Sequence, residues 1–252
     1  MFTDLQYRIL KKISPQTPGG GAGTEPFYEG KSKLAVLLGD GIFGQLAGKV
    51  TIDFGCGGGA DTVEMAARGA SRVIGLDIRE DVLEAGRENA RKAGVADRCT
   101  FMSSVSSTGD LADVVISVDA FEHFEDPGAI LQIMSGLLRP GGEVMVSFGP
   151  TWYHPLGGHL FSVFPWAHLL FSEEALIRWR SDFKTDGATR FSECAGGLNR
   201  MTIARFEALV ARSPLKFASL ELVPIRPLRK VHNRLTREFT TAIVRCRLVK
   251  RA

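Results

Sequence analysis

A short β-branched run ends in an acid and passes at once into glycine: Val50-Thr-Ile-Asp-Phe-Gly-Cys-Gly-Gly-Gly59. No other stretch limits the fold so narrowly. The run before the turn has the character of a buried strand, and Ala60-Asp-Thr-Val-Glu-Met-Ala-Ala-Arg68 after it opens a helix. Glycine is needed where the backbone bends sharply and lies close to a ligand, because a Cβ would collide. Amides at the start of the following helix then face an anionic group. Strand, glycine turn and helix in this order build a small-molecule site at the carboxyl end of a strand.

The pattern of short apolar strands separated by helices continues downstream. Strands are expected over 50–54, 72–77, 99–103, 114–118 and 143–148, with helices over 80–93, stopped by Gly94, and 127–138. Such alternation implies right-handed crossovers and a mostly parallel, doubly wound α/β sheet covered on both faces. Ligands of these sheets bind beyond the carboxyl ends of the strands, where Gly55, Asp77 and Asp119 fall.

Two ligands compete for the loop. Gly55-x-Gly57-x-x-Ala60 satisfies the dinucleotide pattern, and Asp77 stands near the spacing of a ribose-binding carboxylate. Asp53 argues against a dinucleotide. A carboxylate two residues before the first glycine suits an ammonium and repels a diphosphate.

Asp53, Gly55, Gly57 and Gly59 resemble the D/E-x-G-x-G-x-G motif of class I S-adenosylmethionine (SAM) methyltransferases. Ala112-Asp-Val-Val-Ile-Ser-Val-Asp-Ala-Phe-Glu-His-Phe124 is similar to that family's fourth strand and the loop after it. Leu137-Leu-Arg-Pro-Gly-Gly-Glu-Val-Met-Val146 is similar to its helix-to-fifth-strand junction. The resemblance implies a seven-stranded sheet with an antiparallel last strand, built from a helix near 202–212 and strands near 217–225 and 238–248. It makes residues 1–252 one methyltransferase domain, with 1–30 as N-terminal segment and linker and 151–200 as a lid over the substrate. It implies SAM as cofactor, held by Asp53, Gly55, Cys56, Gly57, Gly59, Asp77, Ile78 and Asp119. Ile78 would pack on adenine. Ser104 stands where the family often has an aspartate for the adenine amino group, with the amide of Val105 as a substitute.

Asp119, Glu122 and His123 would share one face if their segment opened a helix. D/E-x-x-E-H resembles a metal-binding pattern of ubiquinone-biosynthesis O-methyltransferases. His123 as a base or substrate contact, and a purely structural His123, are the other readings. Thr151 to Leu198 holds all three tryptophans and six further aromatics in Tyr153, Phe161, Phe164, Phe171, Phe183 and Phe191. Within it His154 and His159 flank Gly157-Gly158, read as a mobile hinge, and an imidazole titrating near neutrality suits general-base work. Spacing does not make His154, His159 and His168 a zinc site.

Composition excludes other classes. The hydrophobic share is 44% and the charged share 23%, as in soluble globular proteins. No run approaches the ~18 apolar residues of a membrane span. The four cysteines are scattered, and with no secretion signal evident a cytoplasmic location is expected. Residues 14–25 read as a flexible linker, and Gly30-Lys31-Ser32 fails as a P-loop because Glu25 stands where glycine is required. From Met201 onward twelve Lys and Arg face three acids, a net +9 against +3 for the whole chain. That region suits an anionic substrate or a membrane surface, or simply solvated strand edges, and it lacks any nucleic-acid fingerprint. The expected activity is methyl transfer to a small-molecule or lipid-linked acceptor, at oxygen. An NAD-dependent oxidoreductase and a non-catalytic SAM-binding scaffold are the alternatives.

Overall fold

The computed structural model describes residues 2–14, 30–104, 111–194 and 197–251. Seven strands form one sheet: β1 (Val50–Phe54), β2 (Arg72–Leu76), β3 (Cys99–Met102), β4 (Ala112–Val118), β5 (Leu138–Phe148), β6 (Leu215–Pro224) and β7 (Thr241–Lys250). Their order is β3-β2-β1-β4-β5-β7-β6. The pairs from β3 to β5 are parallel, and β7 runs antiparallel to both β5 and β6. The doubly wound expectation holds, including the antiparallel last strand. Chain direction changes sides at β1 and β4, so the crevice at that switch point is where a ligand belongs.

Strand periodicity sorts side chains between two layers. Ile52, Phe54, Ile74 and Val115 face one core together with Phe121, Phe148 and Phe206. Val73, Val114 and Ile116 face the other, against Leu34, Ile42, Met65 and Leu83. On that second face lie α2 (Lys33–Leu38), α3 (Ile42–Leu46), α4 (Ala60–Ala67) and α5 (Glu80–Lys92), whereas α1 (Phe2–Ile13) sits elsewhere. On the first face lie α6 (Pro127–Leu137) and α9 (Ile203–Arg212), between which come α7 (Ala167–Leu170) and α8 (Glu173–Ser181). Local chemistry starts several helices. The Asp126 carboxylate accepts from the Ala129 amide ahead of α6, with Pro127 in the first turn, and Thr202 caps α9 through Arg205.

One expectation shifts. The last strand starts at Thr241, because Arg237–Thr240 forms a short helix, α10, before it. Within the expected N-terminal segment, α1 is a helix packed on the insertion after β5. Leu10 joins Phe161, Leu176, Trp179 and Phe191 in a third core, Gln6 accepts from Ser172, and Tyr7 donates to Asp182. Apart from Ser14, the linker expectation lies outside the described residues. No described helix is long and apolar enough to cross a membrane.

Candidate active site at the carboxyl edge of the sheet

The glycine loop bends where a side chain would not fit. Gly59 has φ +74°, and a Cβ there would lie 2.5 Å from the Phe101 ring. Gly55 has φ +83°, with Ala120 Cβ at 3.0 Å from the same construction. No side chain caps the start of α4, which leaves its first amides without a side-chain acceptor. The Gly57 amide donates to Asp77 Oδ2 at 3.0 Å, which ties the loop to the end of β2. Asp77 also accepts from the Arg79 amide at 3.0 Å and from Arg79 Nε at 3.1 Å. Burial opposes ionisation of Asp77, yet these hydrogen bonds outweigh it and hold the carboxyl below the usual range. Ile78 is 90% exposed beside it. Ser104 is exposed at the end of β3, and Val105 lies outside the described residues. The Cys56 thiol is pushed up by burial and is a packing group rather than a nucleophile.

Asp53 is buried beneath the loop, where its carboxylate accepts from Thr62 Oγ1 at 2.6 Å. It thus braces α4 from below instead of lining the open surface. Burial and the neighbouring Asp61 push its carboxyl well above the usual range. Across the crevice, Lys33 Nζ lies 3.5 Å from Asp61 Oδ2 and 3.3 Å from Asp119 Oδ2. Burial works against the Lys33 charge, but the two carboxylates win and raise its pKa. Asp119 is raised by burial despite Lys33, and burial aided by Asp119 pushes Glu122 up to about 8. Asp61 and Asp119 therefore flank one ammonium in the crevice, with Asp53 and Glu122 buried behind them, and a cationic ligand group would relieve that crowding of acids.

Asp119 to His123 form a turn, not the opening of a helix; α6 starts only at Pro127. Asp119 adopts φ +49°, a left-handed conformation that aspartate tolerates, and this breaks the helical register. The three candidate metal ligands consequently diverge. Asp119 meets Lys33, Glu122 Oε2 is buried without a hydrogen-bond partner, and His123 Nδ1 lies 2.6 Å from the Gly197 carbonyl. Among the described residues no group of three His, Cys, Asp or Glu side chains is arranged to hold a metal ion.

Opposite the loop stands the insertion. The His159 ring packs edge-on against His123 with centroids 5.4 Å apart, and its Nε2 is buried with no partner. Burial, reinforced by His123, lowers His159 to about 4. His154 is lowered by burial to a similar value, but its Nδ1 already accepts from the Leu156 amide at 2.9 Å. The expected hinge between them is a packing contact. A Cβ on Gly157 would sit 2.3 Å from the Thr151 carbonyl oxygen, and one on Gly158 would sit 2.4 Å from His168 Cβ. A cleft of about 610 Å³ opens between the turn and the insertion, lined by His123, Phe124, Arg190, Phe191, Asn199 and Arg200 among others. Phe124 also borders Gly55, so the cleft and the loop adjoin.

Two residues that the sequence reading missed hold these walls together. Lys33 spans α4 and the end of β4. Asn199 Nδ2 donates to the carbonyls of Phe121 and Phe124, each at 2.8 Å, and its amide donates to the Glu122 carbonyl. Neither carried a local signal, since both reach across the chain.

A strand order of this kind, with a glycine loop at its switch point, defines a Rossmann-like methyltransferase fold. Residues 46–151 match the family described as Methyltransferase domain. The ubiquinone biosynthesis O-methyltransferase of Aeromonas salmonicida (strain A449) is 39% identical over 107 residues, covering 41% of this chain and 44% of the relative. That of Idiomarina loihiensis is 35% identical over 147 residues, covering 57% and 53%. The chain thus spans about half the length of the curated relatives it matches. The magnesium protoporphyrin IX methyltransferase of Synechocystis PCC 6803, solved with bound SAH, superposes with a TM-score of 0.55 at 18% identity, covering 99% of this chain and 96% of that one. At that identity the likeness carries the fold.

Proposed function

We propose that this protein transfers a methyl group from SAM to a small-molecule or lipid-linked acceptor, at oxygen. The observation that carries the reading is the acid-rich crevice: Asp53, Asp61, Asp119 and Glu122 beside an uncapped helix start, with Lys33 between two of them. An amino-acid zwitterion matches that arrangement. Its ammonium faces Asp61 and Asp119, and its carboxylate faces Lys33 and the amides of α4. A dinucleotide would bring diphosphate charge against the same acids, which disfavours the oxidoreductase alternative.

Bound there, the cofactor supplies a methyl group already activated on a sulfonium centre. The protein's own contribution is placement and exclusion of water, which together supply on the order of 7–11 kcal/mol. Asp77 takes the ribose hydroxyls as the exposed Arg79 side chain swings aside, and Ile78 covers the adenine face. Phe124 separates loop from cleft, so the acceptor enters past His123. His159 is the base best suited to the acceptor proton. Its lowered pKa keeps the ring neutral, and a hydroxyl becomes strongly acidic as it gains a methyl group, so a weak base suffices. The insertion is the lid, with His123 as its contact to the turn.

Calorimetry with SAM and with NADH tests the cofactor. Binding of NADH alone would remove the methyl-transfer reading. SAM binding with no labelled product from cell extract would favour the non-catalytic scaffold.

A further inference from the structure

The connection between β6 and β7, residues 225–240, has no part in the site above. It exposes four basic side chains, Arg226, Arg229, Lys230 and Arg234, and among the described residues none of them forms an ion pair. Its remaining charges are engaged internally. Arg237 holds Glu207 through hydrogen bonds of 2.7 and 2.5 Å, and Glu238 accepts from the amides of Ile203 and Ala204. Between the free cations stand Val231, Leu235 and Phe239, exposed to 53%, 91% and 45%. The turn that presents them is built. Thr236 Oγ1 donates to the Val231 carbonyl at 2.6 Å, and Asn233 Oδ1 accepts from the Leu235 amide at 2.9 Å. An ordered turn that holds a leucine in water forgoes burial that a looser one would find.

The apolar surface continues toward the insertion. The Phe239 ring lies 5.3 Å from that of Tyr153, whose carbonyl accepts from Trp166 Nε1. The short α7 that follows exposes Leu169 and Leu170. Charge and hydrophobicity together select the occupant. Nucleic acid would meet the cations but gain nothing from Leu235. A second copy would bring like charges together. A bilayer with anionic headgroups satisfies both, since basic side chains meet phosphates while apolar ones enter the acyl boundary.

We infer that residues 225–240 dock the protein on an anionic lipid surface, with Leu235 and Val231 as the inserting side chains and Arg229, Lys230 and Arg234 as the phosphate contacts. Docked this way, the insertion, which meets this connection at Tyr153 and Phe239, lies beside the bilayer. Docking itself is independent of the methyl-transfer reading.

Co-sedimentation of the full chain with vesicles tests it, comparing phosphatidylcholine alone with phosphatidylcholine mixed with phosphatidylglycerol. The expected result is binding to the mixed vesicles only, lost at high salt. R229Q/K230Q/R234Q should weaken the partition on the order of 100-fold, and L235S roughly tenfold. Titration with SAH reads the other site and should be unchanged in both variants. Equal binding to neutral vesicles, or full binding by both variants, overturns the inference. So does a dimer that L235S dissolves, which assigns the face to a second copy. RNA binding that the triple variant loses, without vesicle binding, assigns it to nucleic acid and overturns it likewise.

Discussion

Around the glycine loop each group that faces the crevice lies within a few residues of a strand end, Lys33 apart. The opposite wall is assembled from residues 123, 159, 197 and 199, joined by contacts between segments far apart in the chain. The first wall is fixed by backbone conformation, so a single added methyl group is enough to damage it. The second depends on aromatic and histidine packing, in which a lost side chain leaves the rest of the wall in place. Changes to the two walls should therefore fail differently: at the loop through folding and cofactor binding together, at the insertion through turnover with binding preserved.

The largest effect is expected from Gly59→Ala. The new Cβ meets the Phe101 ring and the residue is held at positive φ, a combined cost of about 2–5 kcal/mol. Thermal unfolding should fall by roughly 5–15 °C, and calorimetry should show SAH affinity weakened by on the order of 100-fold. Retention of wild-type affinity would mean that the loop does not hold the ligand.

His159→Asn sharpens the other side. Asparagine tolerates the left-handed φ of +49° that His159 adopts, so the substitution removes the imidazole while sparing the backbone. Single-turnover rates should drop roughly 100-fold with SAH binding unchanged. His154→Asn should cost only a few-fold, because that ring already closes a turn onto Leu156. Equal losses from both would reduce the two histidines to lid packing.

Sequence legibility divides along the same line. The first five strands, the loop from Asp53 to Gly59 and the position of Asp77 were readable because strand periodicity and glycine chemistry are local. The 119–123 segment was not, because helical spacing and a turn with one left-handed residue look alike until Asp119 is placed at φ +49°. Gly157 and Gly158 misled in the opposite sense. Two adjacent glycines suggest a hinge, yet close approach of the Thr151 carbonyl and His168 gives glycine an equally good reason to be there. Lys33 was invisible because its partners, Asp61 and Asp119, lie 28 and 86 positions further on. Its replacement is the next test: Lys33→Met should weaken SAH binding about tenfold by removing the counter-ion to the ligand carboxylate. Tighter binding instead would mean that Lys33 competes with the ligand ammonium for Asp61 and Asp119.

A last test separates the walls by pH. Burial raises the Glu122 pKa from 4.5 to about 8, so between those values the folded state holds a proton that the unfolded state releases. Its contribution to stability is complete below pH 4.5 and is lost as pH rises toward 8. His154 and His159 act with the opposite sign. Both are lowered to about 4 from 6.5, so unfolding takes up protons in that interval and stability is lost as pH falls through it. Stability should peak between the two limbs, and Glu122→Gln should reduce only the alkaline one, to which the raised Asp53 and Asp119 also contribute. Thermal unfolding at pH 5 should then be nearly unchanged, while at pH 8 the variant should melt roughly 5–10 °C higher, equivalent to a few kcal/mol. Saturating SAM should mimic part of that gain in the wild type, because a bound ammonium lets Glu122 ionise in place. A variant that moves the acid limb as well would mean that Glu122 and the histidines titrate as one cluster, and the distinction between the two walls would not hold at the point where they meet.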